Sequence, residues 1–318
     1  MKDDKPLSEP VKYQGAEQIL KGRFEGIPFE SPVKPVQLEL DSEIQFDCHP
    51  GVACFNECCR NIDIQLTPYD IVRLKQRLGV SSQEFVARYT LPFAMDFHGL
   101  PGLNLMTQPA SRECVFLGKH GCTVYEDRPA ACRYYALGVM GVRRKESTRV
   151  EDVFFLVKES HCLGHNEPRR LTVRQYREQQ GVDKSDDMNR DWRDLIIKKR
   201  SSGPTIGKPS ERSMQLFDMC SYDMDSFGEF IQTPGFQDIF DVDAATMAGL
   251  LGSDEQLLQF AFRFLKQVLF GEQSIPVKAG AGERRLETRR EHITKKRQAE
   301  IEAHKAHDAL DDVSAADD

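Results

Sequence analysis

The segment Cys48–Cys59 reads CHPGVACFNECC and crowds four of the chain's nine cysteines into twelve residues, the last two adjacent. Three chemistries fit such crowding: disulfides, a catalytic thiol or a metal cage. A 318-residue chain can bury a core that needs no covalent staples, which weakens the first. The N-terminal MKDDKPLSEPVKYQG has acidic and proline residues where a secretory leader carries a basic region and an apolar run, so a cytoplasmic location is expected. In a reducing compartment clustered thiols hold metal or do redox chemistry more often than they form structural bridges.

A second group follows at Cys114, Cys122 and Cys132, then Cys162 and, further on, Cys220. Thiolate sulfur is the ligand of zinc and of iron–sulfur clusters, and four sulfurs complete either. The eight residues Cys48, Cys54, Cys58, Cys59, Cys114, Cys122, Cys132 and Cys162 therefore suffice for two centres, or for one centre plus redox thiols. In an extended segment the adjacent Cys58 and Cys59 face opposite sides, so each is expected to serve a different centre, or one to ligate while the other supports it. Cys220 lies in the helical pattern MQLFDMC and reads as core. His49, His120, His161 and His165 sit close to cysteines, but with eight thiols available they read as loop residues supporting the ligands.

Around these groups the chain shows short elements. Thr67 as N-cap, Pro68 at the first helical position and Asp70 in the first turn start a helix along LTPYDIVRLKQRLGV that Gly79 ends, and a Ser81/Glu84 capping box starts the next. CVFL and CTVY read as a hairpin turning at Gly118–Gly121, with Cys114 and Cys122 near the strand starts, followed by a helical turn from Pro129. Asp127 is expected to cap that turn and Arg128 to pair with a carboxylate, while Tyr125, Tyr134 and Tyr135 pack around the site. Val150–Ser160 reads as a strand delivering HCLGH. A Thr172/Gln175 cap opens a further helix, and Met188, Trp192, Leu195 and Ile196 mark an amphipathic one.

Hydrophobic residues at 40% and charged residues at 29% describe a globular protein. The formal charge of −7 disfavours nucleic acid, and the basic run ERRLETRREHITKKR is interleaved with Glu283, Glu287 and Glu291 as a self-paired solvated helix is. LLQFAFRFLKQVLF is interrupted by Arg263 and Lys266 and is shorter than the roughly 20 residues of a membrane span, so it reads as a buried helix.

Taken together, CFNECCRNIDIQLTPYDIVRLKQRLG, CVFLGKHGCTVYEDRPAACRYYALG and HCLGH resemble the YkgJ-type cysteine-cluster family, the CxxCxxCC or zinc- or iron-chelating domain, over about residues 46–165. The resemblance implies metal binding by Cys54, Cys58, Cys59, Cys114, Cys122 and Cys132, with Cys48 and Cys162 as further members. The first group departs from the family spacing, being C-x5-C-x3-C-C.

The expected fold class is α+β: an extended arm over 1–43, a cysteine-cluster metal-binding domain over 44–170, a helical region over 171–276, and a charged helix and acidic tail over 277–318. The cofactor is zinc or an iron–sulfur cluster, undistinguished. Three functions stay open: a structural or redox metal protein; a cluster-dependent enzyme, methyltransferase-like or redox, that modifies a protein or peptide; and a metal-stabilised scaffold whose helical C-terminal half docks a protein partner. No glycine-rich strand-to-helix signature supports a nucleoside cofactor.

Overall fold

The computed structural model describes residues 33–301 apart from Asn61, 97–98, 144–149, 202–208 and scattered positions between 285 and 300. The chain is α+β and divides into two units, Met1–Met224 and Asp225–Asp318.

The first unit begins with β1 (Val33–Leu38) and β2 (Glu43–Gln45), passes a 3-10 turn at Glu57–Cys59, and continues as β3 (Gln65–Leu66), α1 (Pro68–Leu78) and α2 (Ser82–Tyr89). The local signals act as the sequence anticipates. Thr67 and Asp70 form a full capping box, Pro68 stands at the first helical position, and Gly79 closes α1 in the left-handed conformation with φ 66°. At the start of α2 only one half of the expected box forms, with Ser81 accepting from the Glu84 N–H. Next come β4 (Thr90–Ala94), β5 (Pro101–Leu105), a hairpin of β6 (Leu117–Gly118) and β7 (Gly121–Cys122), and the short helix α3 (Ala130–Tyr134). The unit is completed by β8 (Leu137–Arg143), β9 (Val150–Val157), β10 (Arg170–Thr172), α4 (Val173–Gln180), α5 (Val182–Ser201) and α6 (Glu211–Tyr222).

Four small antiparallel sheets result, ordered β1-β9-β8, β10-β2, β3-β5-β4 and β6-β7. The strand Val33–Leu38 falls within the segment expected as an extended arm; it pairs with β9, setting Leu38 opposite Phe154. Residues 1–32 of that arm lie outside the described residues. Ile44, Phe46, Tyr134, Leu137, Phe154, Leu171 and Tyr176 form one buried cluster that joins the two sheets to α3 and α4.

Helices beyond residue 170 complete this unit rather than a separate one. The buried Asn189 on α5 accepts the Tyr69 N–H at 3.2 Å, satisfying a donor that the first turn of α1 leaves unpaired. Trp192 Nε1 donates to Ser221 Oγ at 3.1 Å, and Tyr222 on α6 donates to the Pro101 carbonyl at 3.2 Å. Met188, Trp192, Leu195 and Ile196 are buried, as their spacing predicts.

In the second unit α7 (Met224–Ile231), α8 (Pro234–Gln237), α9 (Ala244–Leu251) and α10 (Asp254–Phe270) surround a phenylalanine core. The rings of Phe227, Phe230, Phe236 and Phe240 lie 5.5–5.9 Å from that of Phe264. Phe264→Ala is expected to destabilise this unit by about 3–5 kcal/mol while leaving the metal content of the first unchanged. Denaturant unfolding followed beside metal analysis checks this, and loss of metal would show that the cysteine domain depends on the helical unit. From Gly282 every described side chain is exposed, and residues 302–318 lie outside the described residues. Among the described residues no helix is long and apolar enough to cross a membrane.

Candidate metal centre

The first cysteine group is a run of turns that ends in the 3-10 turn Glu57–Cys59. Asn56 enters it at φ 69°, a left-handed conformation that asparagine tolerates better than most residues. Opposite it stands Gly121 at φ 120°, where a side chain would be strained and would meet Asn56 and Phe55. It is the backbone conformation here, rather than the space, that calls for glycine.

Cys58 and Cys59 do not face opposite sides. Their thiols hydrogen-bond each other and both line one cavity. The extended-segment expectation fails because a 3-10 turn rotates successive residues by only about 120°.

Backbone bonds then join the two groups. Arg60 and Glu113 form an isolated bridge, reinforced by an ion pair at 2.5 Å, and the Cys114 N–H donates to the Cys59 carbonyl at 2.8 Å. Cys114 consequently lies ahead of the hairpin rather than in its first strand, while Cys122 is in β7 as expected. Cys132 sits in the middle of α3, whose first N–H, from Ala130, is bound by Asp70 Oδ1 at 2.8 Å. The other Asp70 oxygen accepts from the Thr67 N–H at 2.8 Å, so one buried carboxylate caps both α1 and the helix that carries Cys132.

Cys48, Cys58, Cys59, Cys114, Cys122 and Cys132 line a cavity of about 490 Å³, with Phe55, Phe116, Tyr125 and Tyr176 among its walls. Cys54 and Cys162 lie beside it and hydrogen-bond each other. The Leu163 N–H donates to Cys54 Sγ at 3.1 Å, and the Tyr135 hydroxyl lies within reach of both Cys162 and Glu159 Oε2, the latter at 2.6 Å. Each of the eight sequence-predicted cysteines is therefore at or beside the cavity, whereas Cys220 is fully buried on α6. Among the described residues, no group of three or more His, Cys, Asp or Glu side chains is arranged to hold a metal ion.

Electrostatics differ within the constellation. Burial pushes the thiols of Cys48 and Cys114 up to about 11, and raises Cys122, Cys132 and Cys162 as well. The hydrogen bond from Cys58 pulls Cys59 down to about 7, with Arg60 adding to the effect, and Cys58 rises in return. Backbone N–H groups are aimed at the sulfurs: Phe116 and Leu117 at Cys114, Val124 at Cys122 and Gly164 at Cys162. Such amides stabilise thiolate, and with eight thiols they form a donor set suited to a metal–thiolate group.

Arg128 does not take the partner its sequence context suggests. Arg128 pairs with no carboxylate among the described residues; it donates to the Tyr125 carbonyl and to Gln180 Oε1, stacked 3.9 Å from the Tyr125 ring. Arg133 donates to the carbonyls of Arg128, Gln180 and Glu126. Asp127 does not cap the turn either; it is buried against Arg73, with Arg77 at 3.9 Å. Both guanidinium groups are thus held by neutral oxygens, and the charge of Arg128 acts on Cys122 against the rise that burial causes.

The histidines take other partners. His165 is buried, bonded to the Val157 carbonyl at 2.9 Å and packed on Phe46; His161 lies by Tyr135 and Glu159, and His49 by Glu167. Of these four, His120 lines the cavity. Sequence reasoning missed Arg169, Gln179 and Gln180, which also line it; no local motif marks them, because they come from the residue before β10 and the end of α4.

No curated protein and no solved structure matches the chain. Residues 47–187 match the model of the CxxCxxCC family, described as "Putative zinc- or iron-chelating domain". The match runs from Asp47 through α4 into α5 and covers all eight cysteines. Over these residues, somewhat under half of the chain, the sequence is similar to a family described as chelating zinc or iron.

Proposed function

We propose that the domain is an iron–sulfur protein with two centres and a redox role. One observation carries this reading: six of the sulfurs line a single cavity of about 490 Å³. A tetrahedral zinc site draws four ligands to within about 2.3 Å of one ion and leaves no such space, whereas a polynuclear cluster is itself a body that sulfurs must surround. Cys59, Cys114, Cys122 and Cys132 lie within electrostatic reach of one another and are assigned to the first centre. Cys48, Cys54 and Cys162 form a second such set, joined by Cys58, which neighbours Cys48 as well as Cys59. The adjacent pair is then the branch between the centres, although both thiols face one cavity.

A bound cluster supplies one-electron transfer. The chain's own part is to aim amides at the sulfurs and to surround them with aromatic walls. These levers set a potential. Nine free cysteines suit a reducing compartment, and the reading assigns the protein to the cytoplasm.

Anaerobic purification followed by iron, sulfide and zinc analysis tests the reading. The expected product is brown, with iron and sulfide in equal amounts and a visible charge-transfer band that bleaches on reduction. Colourless protein with stoichiometric zinc would overturn it.

A further inference from the structure

The exposed end of the same cavity carries a second constellation. Gln179 and Gln180, the last two residues of α4, each hold one guanidinium. Gln179 Oε1 accepts from Arg169 Nη2 at 2.6 Å, and Gln180 Oε1 accepts from Arg128 Nη2 at 2.7 Å. Arg128 is fixed further by the Tyr125 carbonyl at 2.6 Å and by stacking on the Tyr125 ring. Arg169 also forms an ion pair with Asp47 at 3.0 Å, whereas Arg128 has no carboxylate partner among the described residues. All of these side chains line the cavity, and Tyr125, Gln179 and His120 are exposed there.

We infer that this cavity binds a small organic carboxylate with a flat apolar body, anchored by Arg128 and flanked by Arg169. The inference rests on the metal reading only for what occupies the thiol-lined end. Two features carry it. A guanidinium pre-organised by neutral oxygens keeps its charge available, and its planar fork matches a carboxylate. Phe55, Phe116, Tyr125 and Tyr176 offer ring surface to an apolar body, which a bare inorganic anion would leave uncovered. A ligand held there lies beside the sulfurs, where it can meet whatever chemistry the metal supplies.

Arg128 has a rival role, balancing thiolate charge, and the experiment separates the two. Benzoate, phenylacetate and the neutral benzamide are titrated calorimetrically into the full chain as purified, with iron and zinc measured on every sample. Both carboxylates are expected to bind at least about tenfold more tightly than benzamide. Arg128→Gln should weaken carboxylate binding by at least about tenfold with metal content unchanged, and Arg128→Lys should recover part of the loss because it keeps charge but not the fork. Equal binding of carboxylate and amide, unaltered affinity in Arg128→Gln, or no binding by the metal-loaded chain would each overturn the inference. An Arg128→Gln protein that loses its metal identifies charge balance as the role and overturns the inference as well. Because metal is assayed independently, absence of iron in carboxylate-binding protein would sink the iron–sulfur reading alone.

Discussion

Cys132→Ser is expected to abolish one metal centre and spare the other, lowering metal content to about half, while Cys162→Ser removes the complementary half. The reason lies in how the sulfurs are supported. Cys132 is carried by α3 and neighbours Cys114, Cys59 and Cys122, whereas Cys162 contacts Cys54 beside the Leu163 amide. Serine preserves size but offers a poor ligand for these metals, so the variants probe ligation with little change in packing. Binding free energy at such a site is folding free energy, so each variant should also melt well below the parent. Metal analysis on folded protein decides the matter. Complete loss in either variant would mean that all eight cysteines serve one cooperative centre; full retention in Cys132→Ser would remove the α3 thiol from the ligand set.

Asp70→Asn is the second large effect. Both carboxylate oxygens accept backbone N–H groups, from Thr67 and from Ala130, and the side chain is buried. Burial pushes its pKa up, and the hydrogen bonds from Thr67 and Ala130 act against that rise. Asparagine keeps one acceptor and sets an NH₂ against the other donor, leaving one buried N–H unsatisfied at a cost of about 1–3 kcal/mol. The loss falls on the helix that presents Cys132, so metal should be lost from that centre in preference to the Cys162 centre. Asp127→Asn is the control, since Asp127 is equally buried but pairs with Arg73 and caps no cysteine helix. Chemical denaturation of the metal-loaded proteins measures the stability term. If both variants lost metal equally, general destabilisation would account for the effect and the capping argument would fall.

Much of the local structure was legible before any coordinates. Thr67-Pro68-x-Asp70 and the terminal Gly79 delimit α1, and Thr172 with Gln175 forms a full capping box at α4, because caps act through neighbours three residues apart. The hairpin turn at Gly118–Gly121 and the buried stripe of α5 were legible for the same reason: turn chemistry and periodicity are short-range properties. The likeness to a zinc- or iron-chelating family was written in the cysteines themselves.

Other features were decided by distant pieces of chain. The mutual contact of Cys58 and Cys59 depends on a 3-10 turn seated against Gly121, more than sixty residues on in the chain. Asp70 reads locally as a helix cap, and its second partner, Ala130, becomes visible only when α1 and α3 pack. Arg128 was expected to meet a carboxylate and instead meets Gln180, brought to the cavity by the last turn of α4. The sequence by itself determined which thiols are grouped and which short elements carry them, since residue spacing and caps are local. Only the tertiary structure decided how eight sulfurs are shared around one cavity and which cations face it, since those depend on contacts across more than a hundred residues, as between Leu163 and Cys54.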